Sequence, residues 1–416
     1  MVPPTVSPFI TRVVIENYKS IAFCDVRLAP LNVLVGLNGS GKSNFLDALR
    51  FVRDACHSSL TTAVQARGGI DDIRYRPSSP EGFVGLRFEF HLPHGVTGHY
   101  AFRIHVRPSG GFSVLEEECV VDEHKDGYAP ARFTFRDGQY DTNITLAWPH
   151  LAARSLNPSD LCLASIFSND FDGTPFAPVS EALTSMRFYD INPAGMRGLK
   201  DIELGADTIL WPDGGNVVDV LQNLTMDNEA AKERIDEYMA RIAPNVHAIQ
   251  ARPIVDRAIL QFRHNGHGAG APFLGPAMSN GTLRALGVLV ALFQSAYDVT
   301  TSTSLVAIEE PETAIHPAAV RVLVDAMHEA SASSQVIATS HSPDLLEYEQ
   351  LDEDSILAVT FEENSTRIGH LNDFGRSAIR DHLYTAGELL RMRQLEPEAL
   401  QTHRQGDGGV ALFDRG

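Results

Sequence analysis

Apolar positions along the chain follow distinct rhythms, and each rhythm predicts a different element. Short β-branched runs bounded by turn signals predict strands at 12–18 (RVVIENY), 31–35 (LNVLV) and 257–262 (RAILQF). The runs SLVAI at 304–308 and QVIAT at 335–339 are continuously apolar, as expected of central strands covered on both faces. Helical spacing replaces this directly after residue 41. Phe45, Ala48, Leu49, Val52, Ala55 and Cys56 recur at i, i+3, i+4, i+7, i+10 and i+11, which places them on one stripe of a helix. HPAAVRVLVDAMHEAS reads as another helix, with Pro317 in its first turn.

Between 82 and 145, segments such as GFVGLRFEFHL, HYAFRIHV and ARFTFRD are separated by Pro-Gly and Asp-Gly turns, which predicts antiparallel hairpins. From about 150 to 250 the pattern is mixed and mainly helical, with helical spacing through Val217, Val220, Leu221 and Leu224. RHNGHGAGAP, at 263–272, is Gly- and Pro-rich and predicts a loop. The expected division is 11–150 as an N-terminal lobe carrying the antiparallel strands, 151–250 as a mainly helical insertion, 251–375 as a C-terminal lobe and 376–416 as a tail.

Composition narrows the class. At 416 residues, with 44% hydrophobic and 21% charged residues, the chain is an ordinary globular sequence of two or three modules. A formal net charge of -19 opposes general affinity for nucleic acid or anionic lipid, so contact with DNA needs a local basic surface. No apolar run reaches the roughly 18 residues that cross a bilayer, and MVPPTVSPFI lacks the form of a secretion signal, so a cytoplasmic protein without a membrane partner is expected. Cys24, Cys56, Cys119 and Cys162 form no CxxC pair and read as core filler in a reducing compartment.

Candidate chemistry begins with GLNGSGKS at 36–43, which satisfies GxxxxGK[ST] between a predicted strand and a predicted helix. Its glycines let the backbone curl with N–H groups toward phosphate oxygens. Lys42 brings positive charge to the β/γ-phosphates, and Ser43 offers a hydroxyl to Mg²⁺. Asn38, Gly39, Ser40, Gly41 and Asn44 complete the expected nucleotide-binding set. A second element is LVAIEEPETAIHP, where a buried strand ends in Glu309 and Glu310. Carboxylates at the carboxyl edge of a parallel sheet lie where ligands bind. Glu309 is expected to organise Mg²⁺, and Glu310 to orient or deprotonate the attacking water. QVIATSHSPD delivers His341 to the same edge, where it would sense or polarise the γ-phosphate. In GPAMSNGTLRALGVLVALF, Ser279 is placed to cap a long apolar helix.

These four elements together resemble ATP-binding cassette ATPases of the SMC, RecF and OLD type, close to the OLD ATPase domain. VVIENYKSI followed by LAPLNVLVGLNGSGKSNFLDAL is similar to the opening of that family; IEEPETAIHP and IATSHSP are similar to its Walker B, D-loop and switch-histidine regions. The resemblance implies an α/β P-loop NTPase fold: an ABC-type head with a mixed central sheet, an antiparallel β-subdomain and a helical insertion. It implies a Mg²⁺-dependent ATPase working as a dimeric or oligomeric switch, with ATP sandwiched between two copies. MSNGT stands in the place of the LSGGQ signature, so Ser279 and Gly281 would touch the γ-phosphate bound to the other copy. Met278 and Thr282 depart from that pattern, and Glu309 stands where an Asp is usual. Gln65 is a candidate Q-loop residue, although a solvent-facing role is its simpler reading. The implied output is DNA binding or control of a separate nuclease or toxin, for example in anti-phage defence. A transporter motor and a non-hydrolysing scaffold are the competing readings.

A Toprim nuclease domain is not expected, because LDEDS at 351–355 has acid spacing without a surrounding fold and about 40 residues follow position 375. His264 and His267 lack further ligands at zinc spacing. Arg252, Arg257 and Arg263 are read as ordinary surface arginines, with a small DNA-contacting patch as the alternative.

Overall fold

The computed structural model describes residues 8–77, 82–107, 110–124, 129–136, 138–144, 159–167, 174–201, 208–264, 272–296, 303–347, 351–399 and 412–413. Its organising element is a six-stranded sheet in the order Ser365–His370, Ile356–Glu362, Leu31–Val35, Gln335–Ser340, Leu305–Glu309, Arg187–Tyr189. Neighbours run parallel except at the Ser365–His370 end, so the sheet is mixed.

The continuous apolar runs are explained by burial on both sides. Leu31, Val33 and Val35 enter one core while Leu34 enters the other. Val306 and Ile308 alternate in the same way with Leu305 and Ala307. The helix Lys42–His57 covers one face with the predicted stripe from Phe45 to Cys56, and the helices Asn280–Phe293 and Pro317–Ala330 cover the other. Parallel strands with helices on both faces need such two-sided apolarity.

A seven-stranded antiparallel sheet lies beside this layer, in the order Ile21–Arg27, Ile10–Tyr18, Phe83–His91, Thr97–Val106, Phe112–Asp122, Ala131–Arg136, Gln139–Thr142. Its first hairpin was not among the expected elements. Its turn is Lys19–Ser20, with Lys19 at φ of 48° and, just before it in the strand, Asn17 at 55°, without glycine to announce it.

The segment 151–250 is not set apart from the lobes. Arg187–Tyr189 pairs in parallel with Leu305–Glu309 and forms the sheet edge; three residues are too few for a periodicity to register. The helical stretch after 216 is two helices, Val217–Asp227 and Glu229–Ile242, because the Asn228 side chain accepts from Ala231 N–H and caps a new start. They share a core with the Asn280–Phe293 helix, and the Tyr238 and Phe293 rings stack at 5.5 Å.

At the tail, Leu412 and Phe413 are buried against Val14 and Ala101 on the antiparallel sheet. All four cysteines are buried and unpaired. No helix among the described residues is long and apolar enough to cross a membrane.

Candidate nucleotide site

The strand Leu31–Val35 delivers the chain into the loop 36–41, and the helix begins at Lys42. Gly39 and Gly41 turn that loop at φ of 79° and 104°. Gly41 has a second constraint, since a Cβ there would lie 2.1 Å from Thr366 Oγ1. Thr366 supports the loop from behind. Its hydroxyl bonds the Ser40 carbonyl at 2.9 Å and lies 2.7 Å from Ser20 Oγ.

Lys42 is folded onto its own loop, donating from Nζ to the carbonyls of Gly36 at 2.8 Å and Leu37 at 3.0 Å. Burial pulls its ammonium below the ordinary value, against the opposing charges of Glu310 and Glu312. Ser43 Oγ donates to Glu309 Oε2 at 2.7 Å, while Arg50 approaches Glu309 Oε1 at 3.7 Å. The Ser40 hydroxyl is buried and has no partner among the described residues, which in a glycine-rich anion loop fits a missing acceptor.

Glu310 adopts φ of 44°, a left-handed conformation that costs a non-glycine residue about 1–2 kcal/mol. It is held there from both sides. Its N–H bonds the Thr339 carbonyl at 3.1 Å, and its own carbonyl accepts from Arg284 Nε at 3.1 Å. The Glu310 carboxylate lies 3.0 Å from His341 Nδ1 and accepts from Thr313 Oγ1 at 3.3 Å. Both side chains of the Glu310–His341 pair stay more than a third exposed, so they remain accessible to a reactant. Backbone strain at an acid that is over-determined by its surroundings is a pointer to function.

The structure thus brings Lys42, Ser43, Glu309, Glu310 and His341 to one sheet edge, with Asn38 and Gly39 exposed on the loop above. Other predicted residues face elsewhere. Asn44 Nδ2 donates to Ser20 Oγ at 2.6 Å, so its amide braces the rear of the loop instead of opening toward a ligand. Ser279 Oγ accepts from Thr282 N–H at 3.1 Å, as the capping prediction required. Gly281 packs within its own chain: a Cβ there would come 2.2 Å from the Ala314 carbonyl. Gln65 is exposed at the end of its helix. Glu353 of LDEDS pairs with Arg380, and Arg257 pairs with Asp201. His267 lies outside the described residues.

Three supports escaped the sequence reading. Arg284 is buried and donates to the carbonyls of Glu309 at 2.9 Å and Ile191 at 2.7 Å as well as to Glu310. Its signal was available, as the charged residue inside the apolar run LRALGVLVALF. Thr366 had none. Glu312 is buried against Ser340, whose Oγ donates to it at 2.5 Å, and burial pushes its carboxyl up.

Fold and site together define a P-loop ATPase head of the ABC type. The chain belongs to the family described as AAA domain, putative AbiEii toxin, Type IV TA system, which matches residues 31–347. Solved structures of similar fold include an SMC head bound to the C-winged helix domain of ScpA, with a TM-score of 0.54, 14% identity, and coverage of 87% of this chain and 97% of that one. An SMC head with an extended coiled coil, bound to the C-terminal domain of ScpA derived from Pyrococcus furiosus, gives 0.53 at 12% identity, over 90% of this chain and 99% of that one. These likenesses concern the fold alone. In sequence, 48 residues are 54% identical to the DNA replication and repair protein RecF of Porphyromonas gingivalis, in each of two strains. That match spans 11% of this chain and 13% of the RecF chains.

Proposed function

We propose that this chain hydrolyses ATP, with Mg²⁺, at the sheet edge formed by Lys42, Ser43, Glu309, Glu310 and His341. The observation that carries the reading is the strained Glu310, pinned by Arg284 and Thr339 beside His341. Asn38, Gly39, Ser40 and Gly41 would present loop N–H groups to phosphate, and Lys42 would exchange its loop carbonyls for phosphate oxygens. Asn44 would act from behind, by keeping the loop in place. Bound Mg²⁺ would neutralise charge on the phosphates, and Ser43 and Glu309 are the residues that would hold it. Glu310 takes the proton of the attacking water, and His341 orients the Glu310 carboxylate.

The same reading makes Ser279 and Gly281 the contribution of a second copy, so that the site is one half of a composite. Support comes from the family membership and the SMC-head fold. Its output is assigned to a separate partner, a nuclease or toxin, or to DNA. The family description names a toxin system, the two head structures hold domains of ScpA, and the short sequence match is to a DNA replication and repair protein.

The test is phosphate release by the purified full chain with ATP and Mg²⁺. Glu310→Gln is expected to lower turnover by about a hundredfold or more while retaining ATP and shifting the chain to a larger assembly in light scattering. Lys42→Ala is expected to weaken ATP binding by about a hundredfold, from lost charge-assisted bonds. Turnover by Glu310→Gln at the parent rate would remove Glu310 from the mechanism, and unchanged ATP affinity in Lys42→Ala would remove the loop.

A further inference from the structure

On the flank of the Lys42–His57 helix, away from Lys42, lies a cavity of about 260 Å³ lined by Arg53, Arg187, Phe188, Tyr189 and Thr208–Pro212. Three elements build it: the last turns of that helix, the edge strand Arg187–Tyr189 and the loop after it. Its walls are fixed. Gln294 bonds both sides at once, donating to Tyr189 Oη at 2.7 Å and accepting from Leu210 N–H at 2.7 Å. Pro212 O accepts from Asp190 N–H at 2.8 Å.

The lining is cationic and aromatic in a chain whose net charge is -19. Among the described residues, no carboxylate lines it. Arg53 is paired outside the cavity with Asp54, at 2.9 Å from Nε. Among the described residues, Arg187 donates only to the Thr184 carbonyl, at 3.5 Å, and its buried Nε has no partner. Burial and the like charge of Arg53 both pull the Arg187 guanidinium below its ordinary value, and a bound anion relieves the second of these. The Phe188 ring is buried under Arg53, while Trp211 is half exposed at the wall.

We propose that this cavity is a binding site for a phosphate monoester carrying a flat ring, a nucleotide unit distinct from the one at Lys42. Arg187 and Arg53 take the phosphate and Trp211 offers a stacking face. At about 260 Å³ the cavity lies just under the roughly 300 Å³ where pockets for drug-sized ligands begin, so it admits at most one nucleotide and not two. The site also reaches the proposed catalytic edge. Arg50 and Arg53 lie over the same Phe188 ring, each at 5.3 Å, and Arg50 stands 3.7 Å from Glu309. Only this coupling rests on the ATPase reading; the binding itself does not.

The chain has two tryptophans, so Trp148→Phe leaves Trp211 as the sole tryptophan emitter. Titrating that variant with uridine monophosphate is expected to give a saturable change in Trp211 emission, which uridine alone does not produce. Adding Arg187→Gln is expected to weaken the response about tenfold or more, and Arg53→Gln serves as the second arm if Arg187→Gln melts early. Adding Lys42→Ala is expected to leave the response intact, which separates this site from the glycine-rich loop whatever the fate of the ATPase assignment. A 5′-phosphorylated oligothymidylate tells a strand end from a free nucleotide, and tighter binding of either names the source. Absence of a saturable change, parent-like titration of both arginine variants, or loss of the response in Lys42→Ala would each overturn the proposal.

Discussion

The glycine-rich loop and the Ser279–Gly281 turn are both expected to meet phosphate, yet their polar groups are satisfied in opposite ways. At the loop, partners are missing or provisional: Ser40 Oγ is buried without one among the described residues, and Lys42 is spent on the carbonyls of Gly36 and Leu37. At the turn, the Ser279 side chain is satisfied locally. Ser279 Oγ caps Thr282, and Gly281 exists to let the helix approach Ala314. The first region is built to be finished by a ligand, whereas the second is built to be carried on a helix. What joins them is Arg284, which leaves the helix of the turn and grips the strand end at Glu309 and Glu310. From there the Ser43–Glu309 hydrogen bond continues to the glycine-rich loop, so Arg284 is one link in a contiguous path between the two regions.

The sharpest way to break this link is Arg284→Met, which keeps the length and removes the donors. Three carbonyls, of Ile191, Glu309 and Glu310, then lose a charged partner, and stability is expected to fall by about 3 kcal/mol or more. Thermal unfolding reads that loss. ATP binding should stay within a few-fold of the parent while turnover falls further than binding, because Glu310 is no longer held in its left-handed conformation. Parent-like turnover in a folded Arg284→Met variant would show that the two regions are not coupled there.

Gly281→Ala acts on the turn alone. The added methyl meets the Ala314 carbonyl at 2.2 Å, and relieving that overlap separates the helix from the 310–316 turn at a cost of about 1–3 kcal/mol. Nucleotide affinity of one copy is expected to be unchanged, with turnover and ATP-dependent assembly reduced about tenfold. Reduced affinity in the isolated copy would mean that the turn belongs to the same half-site as Lys42.

How far each region could be read from sequence follows from the same contrast. Leu31–Val35, the loop and its helix were legible because burial on both faces leaves continuous apolar runs and the glycines sit where φ is positive. Glu309, Glu310 and His341 were legible because acids and histidine directly after such strands have no place in a core. The supports were not. Thr366 backs Ser40 across 326 residues, and only the fold brings them together. Arg284 binds backbone carbonyls, which every residue carries, so no complementary residue type marks its partners. The edge strand Arg187–Tyr189 is too short for periodicity, and with it the division at 151–250 hid a strand of the central sheet.

The smallest effect separates the two regions by pH. Behind the loop, Asp47 on the Lys42–His57 helix accepts from Tyr18 Oη at 2.7 Å and Arg67 Nε at 3.0 Å, with Lys19 Nζ at 2.5 Å. Burial pushes the Asp47 carboxyl up, but the bonds and charges of Arg67 and Lys19 outweigh it and hold it below its ordinary value of 3.8. A carboxyl lowered on folding contributes stability that is present above the unfolded value and is lost as pH falls through the folded one. Asp47→Asn should therefore lower stability by about 1 kcal/mol at neutral pH and make the acid limb of the stability curve shallower. Arg284, in contrast, chiefly holds carbonyls that do not titrate, and its carboxylate neighbour Asp190, at 3.8 Å, is largely exposed, so Arg284→Met should lower the curve by a similar amount from about pH 3 to about pH 8. Parallel pH curves for the parent and Asp47→Asn would mean that the loop helix is anchored by packing and not by this charge cluster, and the electrostatic half of the contrast between the two regions would fall.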